Sequence, residues 1–146
     1  MNQFSLTNKV VVVTGAAGLL GKNHVQAIAN AGGTPVLIDI NRPRLQSTVE
    51  EFKNTYNTEF VHFVVDITDE EQVKSCCEKI IQNFGHIDGL VNNAANNHKI
   101  ETDGINEQSR LENFNIESWQ EDISVGLTGA FLCTKYFGAA IAKQGR

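Results

Sequence analysis

Metal and disulfide chemistry find no support in this sequence of 146 residues. Its three cysteines (Cys76, Cys77, Cys133) are an odd number without ligand spacing, and its four histidines (His24, His62, His86, His98) form no zinc-type pair. Cys76 and Cys77 adjoin on a predicted helix and point in different directions, which disfavours a bond between them. No apolar run approaches the roughly 18 residues of a membrane span. Met1 to Ser5 lacks the basic and apolar regions of a signal peptide, so a cytoplasmic protein is expected. A net charge of −5 argues against nucleic acid and anionic membranes as partners. Repeats, low-complexity tracts and dividing linkers are missing too, so residues 1–146 read as one domain. A chain of this length buries about 68–70% of its unfolded surface.

The most informative stretch runs from Lys9 to Asp39. An apolar strand, Val10-Val11-Val12-Val13, leads into Thr14-Gly15-Ala16-Ala17-Gly18-Leu19-Leu20-Gly21. A helical pattern follows, and a second strand, Val36-Leu37-Ile38, ends on Asp39. This is the layout of a nucleotide-binding β-α-β unit: glycines turn the backbone tightly and let it approach a pyrophosphate at the helix N-terminus. A carboxylate such as Asp39 can accept both adenosine ribose hydroxyls and repels a 2′-phosphate, which favours NAD over NADP. Arg42 and Arg44 stand either as phosphate ligands or as solvated first-turn residues of the next helix, with the second reading preferred.

The alternation of strand and helix predicts a parallel sheet covered on both faces. Strands are expected at about Lys9–Thr14, Thr34–Asp39, Phe60–Val65 and Ile87–Val91. Helices are expected at about Gly18–Ala31, Asn41–Tyr56, Thr68–Phe84 and Ile116–Lys143. Gly32-Gly33 stops the first helix, Asn41 caps the second, and Gly85 ends the third. Thr68 and Glu71 have the spacing of a capping box. Between Ala95 and Asn115 lies a polar stretch at the C-terminal end of a central strand, where open α/β sheets bind ligands. Asn96, Asn97, His98 and Lys99 there either face a substrate or belong to a stretch that is disordered without one, and no catalytic role is assigned to them. Asn92 and Asn93 offer donors and acceptors that bond across the sheet or to a ribose, or else simply form a turn.

With these residues placed, the chain resembles the short-chain dehydrogenase/reductase family along nearly its whole length. Thr14-Gly15-(x)₂-Gly18-(x)₂-Gly21 is similar to the family's glycine motif, with the middle glycine one position early. Asp39 matches its NAD-selecting acid, and Asp66-Ile67 its adenine-contacting pair. Asn92-Asn93-Ala94-Ala95 is similar to its Asn-Asn-Ala-Gly. The resemblance implies a partial Rossmann-type doubly wound sheet of about four strands. It also implies a cofactor site built from Thr14, Gly15, Ala17, Gly18, Leu19, Leu20 and Gly21. To these it adds Asp39, Ile40, Asp66 and Ile67, then Asn92, Asn93, Ala94 and Ala95 toward the nicotinamide. Residues 125–131 also look like a bacterial branch linked to flagellin and surface-sugar modification.

The family's acid–base motif, Tyr-x-x-x-Lys, is not in this chain. Tyr56 is followed by Phe60 at the fourth position and Tyr136 by Ala140, while Gly126 stands where the family's tetrad asparagine is usual. Ser124 and Thr128 are read as helix-face residues rather than substitute hydroxyls. Positioned acid–base catalysis is worth about 10²–10⁴-fold, so the chain reads as the cofactor-binding part of an NAD-dependent oxidoreductase, truncated before its catalytic Ser, Tyr and Lys. The substrate of the intact enzyme would be a small alcohol or carbonyl compound, with a sugar or nucleotide-sugar among the candidates. A non-catalytic dinucleotide-binding module or partner subunit is the alternative. An epimerase or dehydratase on nucleotide sugars shares the glycine spacing but needs the same Tyr and Lys. An apolar stripe with Ile123, Leu127, Ala130, Phe131 and Tyr136 on the last helix, together with an edge at the fourth strand, predicts association or instability. The family resemblance, in which this helix forms much of the subunit interface, implies a homo-oligomer.

Overall fold

The computed structural model describes residues 4–96 and 110–144. Four strands, β1 (Val10–Thr14), β2 (Thr34–Asp39), β3 (His62–Val64) and β4 (Gly89–Val91), form one parallel sheet in the order β3-β2-β1-β4. The helices between them are α1 (Leu19–Asn30), α2 (Arg42–Tyr56) and α3 (Glu70–Phe84), and α4 (Ile116–Lys143) follows β4.

The period-two alternation of β1 and β2 divides the core into two layers. Val10, Val12, Val36 and Ile38 pack on one face with Val73 and Ile80 of α3 and Leu132 and Phe137 of α4. Val11, Val13 and Leu37 pack on the other with Val25 and Ile28 of α1 and Leu45 and Phe52 of α2. Both faces are thus covered, which is why these strands read as unbroken apolar runs. Full burial of each such side chain contributes about 1.5–3 kcal/mol before entropy is counted.

β2 and α4 have the expected bounds. β3 and β4 are shorter than their apolar runs, because each pairs on one side only within the described sheet. The backbone still bonds beyond them, Val65 N–H to Asp39 O at 3.1 Å and Asp88 N–H to Val10 O at 2.8 Å. The Asn41 cap is present, its side chain accepting the Arg44 N–H, and Gly85 ends α3 in the left-handed conformation.

The start of α3 differs from expectation. Asp69, not Thr68, is its N-cap, accepting the Gln72 N–H at 3.1 Å, while Gln72 Nε2 returns to Asp69 Oδ2 at 2.9 Å. Thr68 is drawn away by Asp66, whose Oδ1 accepts its N–H and hydroxyl at 2.9 and 2.7 Å. The carboxylate ahead of the helix wins the threonine, and the cap moves one residue on.

α4 is 28 residues long, and its most apolar 18-residue window has a mean hydropathy of 1.3, enough by length and composition to cross a membrane. No continuous apolar run signalled this, since small residues and isolated large ones supply the average. Here the apolar character is divided between two faces. Leu132, Cys133 and Phe137 are buried on the sheet, whereas Trp119, Leu127 and Phe131 are exposed, with Ile123 at 36%. Ala130 and Tyr136, expected in the exposed stripe, are half-buried. Two π-type segments, Ser124–Gly129 and Thr134–Gly138, interrupt the helix. All three cysteines are free and buried.

Candidate functional site

The C-terminal ends of the strands open onto a cleft of about 780 Å³, within the range of small-molecule and cofactor sites. Its floor is the turn after β1. Gly15 adopts φ +62°, and a Cβ there would lie 2.8 Å from the Ala94 Cα, so the chain leaving β4 presses directly on the turn. At Gly21 a Cβ would lie 2.1 Å from the Gly15 carbonyl oxygen, which seats α1 against the same turn. The Gly18 N–H closes the turn onto Gly15 O at 3.0 Å.

α2, α3 and α4 are capped by the side chains of Asn41, Asp69 and Asn115. α1 begins at Gly18 with no side-chain cap and no acid in its first turn. Its first-turn N–H groups therefore carry the helix's positive end toward Gly18, Leu19 and Leu20, all of which line the cleft.

Asp39 is half-buried at the end of β2. Its Oδ2 accepts the Ala17 N–H at 3.0 Å, and its Oδ1 the Asn41 N–H at 2.9 Å. Each oxygen keeps lone-pair capacity for a ligand hydroxyl. Asp66, fixed by Thr68, and Ile67 line the same cleft, in which Ile40 is 64% exposed.

A second group of predicted residues braces the strands. Thr14 is fully buried; its hydroxyl donates to Val91 O at 3.3 Å and accepts the N–H groups of Asn93 and Ala94, both at 3.1 Å. Asn93 Nδ2 donates to Thr14 O at 3.0 Å and Gly15 O at 3.1 Å. Thr14 and Asn93 thus lock the ends of β1 and β4 together, and Asn93, Ala94 and Ala95 line the cleft above this joint. Asn92 points the other way, its amide donating to Thr134 Oγ1 at 3.1 Å on α4. Thr14, Gly21 and Asn92 stand outside the lining.

Gly126 is exposed, with nothing within 4 Å of an added Cβ. Its neighbour Val125 faces the cleft, which sequence reasoning missed. The signal was its phase: Val125 shares the sheet-facing stripe with Gly129, Leu132 and Cys133. Gly129 lets α4 come close, since a Cβ there would lie 2.6 Å from Ile67 Cδ1.

Tyr136 lies away from the cleft. Its hydroxyl donates to Glu70 Oε1 at 2.7 Å, beside Lys135 at 2.6 Å from the same oxygen. That bond to Glu70 raises the tyrosine's pKa, the reverse of what a proton-donating tyrosine needs. Asn96 lines the cleft; Asn97, His98 and Lys99 lie outside the described residues. Among the described residues no three His, Cys, Asp or Glu side chains group as a metal site.

A family model described as short chain dehydrogenase matches residues 9–146. Among curated relatives, the 3-oxoacyl-[acyl-carrier-protein] reductase FabG of Thermotoga maritima is 34% identical over 139 residues, covering 95% of this chain and 52% of the relative. Among solved structures, NAD⁺-bound xylitol dehydrogenase matches with a TM-score of 0.83 at 26% identity, covering 95% of this chain and 50% of the other. The 3-ketoacyl-(acyl-carrier-protein) reductase from Brucella melitensis, complexed with NADH, matches with a TM-score of 0.80 at 25% identity, covering 97% and 53%. The chain spans about half the length of the curated relatives it matches.

Proposed function

The chain belongs to the short-chain dehydrogenase family, and from that premise we propose that it binds NAD as the cofactor-binding part of an oxidoreductase acting on an alcohol or carbonyl compound. The observation that carries the reading is the pairing of Asp39 with Ala17 at 3.0 Å, which joins a ribose-accepting carboxylate to the glycine turn in one cleft. The residues fit such a group: Gly15 and Gly18 leave a side-chain-free floor, and the uncapped start of α1 offers N–H donors for a pyrophosphate.

NAD supplies hydride-transfer chemistry when bound. In this reading Asp39 accepts the adenosine ribose hydroxyls, Asp66 and Ile67 flank the adenine, and Ala94, Ala95 and Val125 border the path toward the nicotinamide. Thr14 holds the strand ends in position from outside the lining, and Asn93 does so through Thr14 O and Gly15 O while itself lining the cleft. The proton-donating residues are supplied from outside this sequence, which contains no Tyr-x-x-x-Lys. The exposed stripe on α4 supports self-association, and three free thiols are in keeping with a cytoplasmic location.

Titration of the chain with NADH, read by nicotinamide fluorescence, tests the binding. Saturable binding that Asp39→Ala weakens supports it, and no binding at millimolar NADH removes it. The second reading, a binding module without catalysis, is favoured by Gly126 and by the engagement of Tyr136 with Glu70. Turnover of alcohol or carbonyl substrates by the longest natural chain carrying this sequence would decide between them.

A further inference from the structure

Asp66, Ile67 and Val125 all line the cleft, yet they come from two separate elements. Asp66 and Ile67 belong to the turn ahead of α3, and Val125 belongs to α4. The turn is built as one piece with the start of α3. The Asp66 carboxylate holds Thr68, the Asp66 N–H is held by Gln72 Oε1 at 3.0 Å, and the Asp66 carbonyl accepts the Asp69 N–H at 3.1 Å. Glu70, the first residue of α3, follows directly. α4 has more freedom. Each π-type segment widens a turn by one residue, so the face that α4 shows the cleft depends on where its two segments sit. Val125 and Gly129 lie in the first of them, and a Cβ at Gly126 between them would meet nothing within 4 Å.

The second segment, Thr134–Gly138, is where α4 is fastened. Three consecutive residues there reach other elements. Thr134 Oγ1 accepts the Asn92 amide of β4's end at 3.1 Å, while Lys135 Nζ and the Tyr136 hydroxyl donate to Glu70 Oε1 at 2.6 and 2.7 Å. The lysine also lies 5.3 Å from the Tyr136 ring centroid. An exposed cluster of this kind adds little to stability. It does fix orientation, because Lys135 and Tyr136 meet on one oxygen only for one rotation of α4 about its axis. We propose that Glu70 is a positioning residue for the cleft: its clasp on Lys135 and Tyr136 sets the rotation of α4 and so holds Val125 beside Ile67. This rests on the dinucleotide reading above. It puts a determinant of NAD affinity outside the lining, roughly 16 Å along α4 from Val125.

The test is NADH titration of the wild-type chain, Glu70→Ala, Lys135→Ala, Lys135→Arg and Lys53→Ala. Lys53 pairs with Glu59 at the same 2.6 Å, and neither lines the cleft, so its variant controls for the loss of any surface ion pair. Glu70→Ala should weaken NADH about threefold, the scale on which exposed charge clusters act. Lys135→Ala should act in the same direction, whereas Lys135→Arg and Lys53→Ala should stay within about twofold of wild type. Trp119, the single tryptophan, stands on α4, so energy transfer from it to saturating NADH should fall in Glu70→Ala while the melting temperature hardly moves. Hydrogen exchange without ligand should quicken in peptides covering Ile67 and Val125 but not in β1. A Glu70→Ala affinity within about twofold of wild type, or an equal loss in Lys53→Ala, would overturn the assignment and leave the dinucleotide reading intact. Failure of the wild type to bind NADH would remove that reading. Unchanged exchange at Ile67 and Val125 would then remove the clasp as well, and faster exchange would keep it as a joint of the cleft.

Discussion

The Asp39 carboxylate holds the Ala17 N–H at 3.0 Å, so the acid that ends β2 and the turn that follows β1 move as one unit. Asp39→Ala removes both a ligand acceptor and this tether. NADH affinity should fall far more than NADPH affinity, because the loss of ribose bonds is offset for NADPH by relief of repulsion. Equal losses in parallel titrations would rule out selection by Asp39.

The amide of Asn93 spans the ends of β1 and β4 through Thr14 O and Gly15 O. Asn93→Ala leaves the carbonyls of fully buried Thr14 and half-buried Gly15 without this donor and should cost about 1–3 kcal/mol in urea unfolding. Asn92→Ala, whose amide meets an exposed threonine hydroxyl, should cost less than about 1 kcal/mol. Similar losses would show that the Asn93 joint is not the stronger of the two.

Two glycines should respond oppositely to alanine. At Gly15 the positive φ and the approach of Ala94 both oppose a Cβ, so Gly15→Ala should lower stability by more than about 1 kcal/mol and impair NADH binding. Gly126 sits in an exposed helical segment with open space around it, and Gly126→Ala should be neutral or stabilising by up to about 1 kcal/mol. Thermal melts of the two variants give the comparison.

Acid should weaken the fold through Asp88. Its side chain is 8% exposed; Oδ1 accepts from Lys9 Nζ at 3.0 Å and Oδ2 from the Val10 N–H at 2.9 Å. Burial pushes its carboxyl up, but the Val10 N–H and Lys9 together outweigh that and hold it below the usual 3.8. A depressed folded value means the contribution is present above the unfolded value and is lost as pH falls through the folded one. Between about pH 5 and pH 2 the wild-type melting temperature should drop more steeply than that of Asp88→Asn. Parallel curves would remove Asp88 as the cause.

Local signals were legible in the sequence. Gly32-Gly33 and Asp39 bracket β2, and Asn41 caps α2 where expected, because both depend on neighbours within one turn. The apolar runs predict longer β3 and β4 strands than form, since such runs count residues that pack without ladder partners on both sides. The spacing of Thr68 and Glu71 predicts a cap that does not form, because the competing carboxylate, Asp66, accepts the Thr68 N–H and hydroxyl. In the cleft, the glycine turn and Asp39 were visible for the same local reason. Val125 shows in the sequence only as a phase on the helix, and the role of Gly129 not at all, because it depends on how closely α4 approaches Ile67 from a distant part of the chain. Asn92 and Asn93 look alike in sequence, and only the fold sends one to the helix and the other across the strands.

The strand made first is one of the two interior strands of the sheet, and this has a kinetic consequence. Val12 pairs with Val36, 24 residues away, and with Leu90, 78 residues away. Closing the longer loop costs roughly 1 kcal/mol more chain entropy, so β1 and β2 should be zipped through α1 before β4 docks. In stopped-flow experiments Val36→Ala should then slow refolding, whereas Leu90→Ala should act mainly by hastening unfolding. The floor of the cleft, where β4 presses on Gly15, is on this account later to consolidate than the β1–β2 pair and earlier to open.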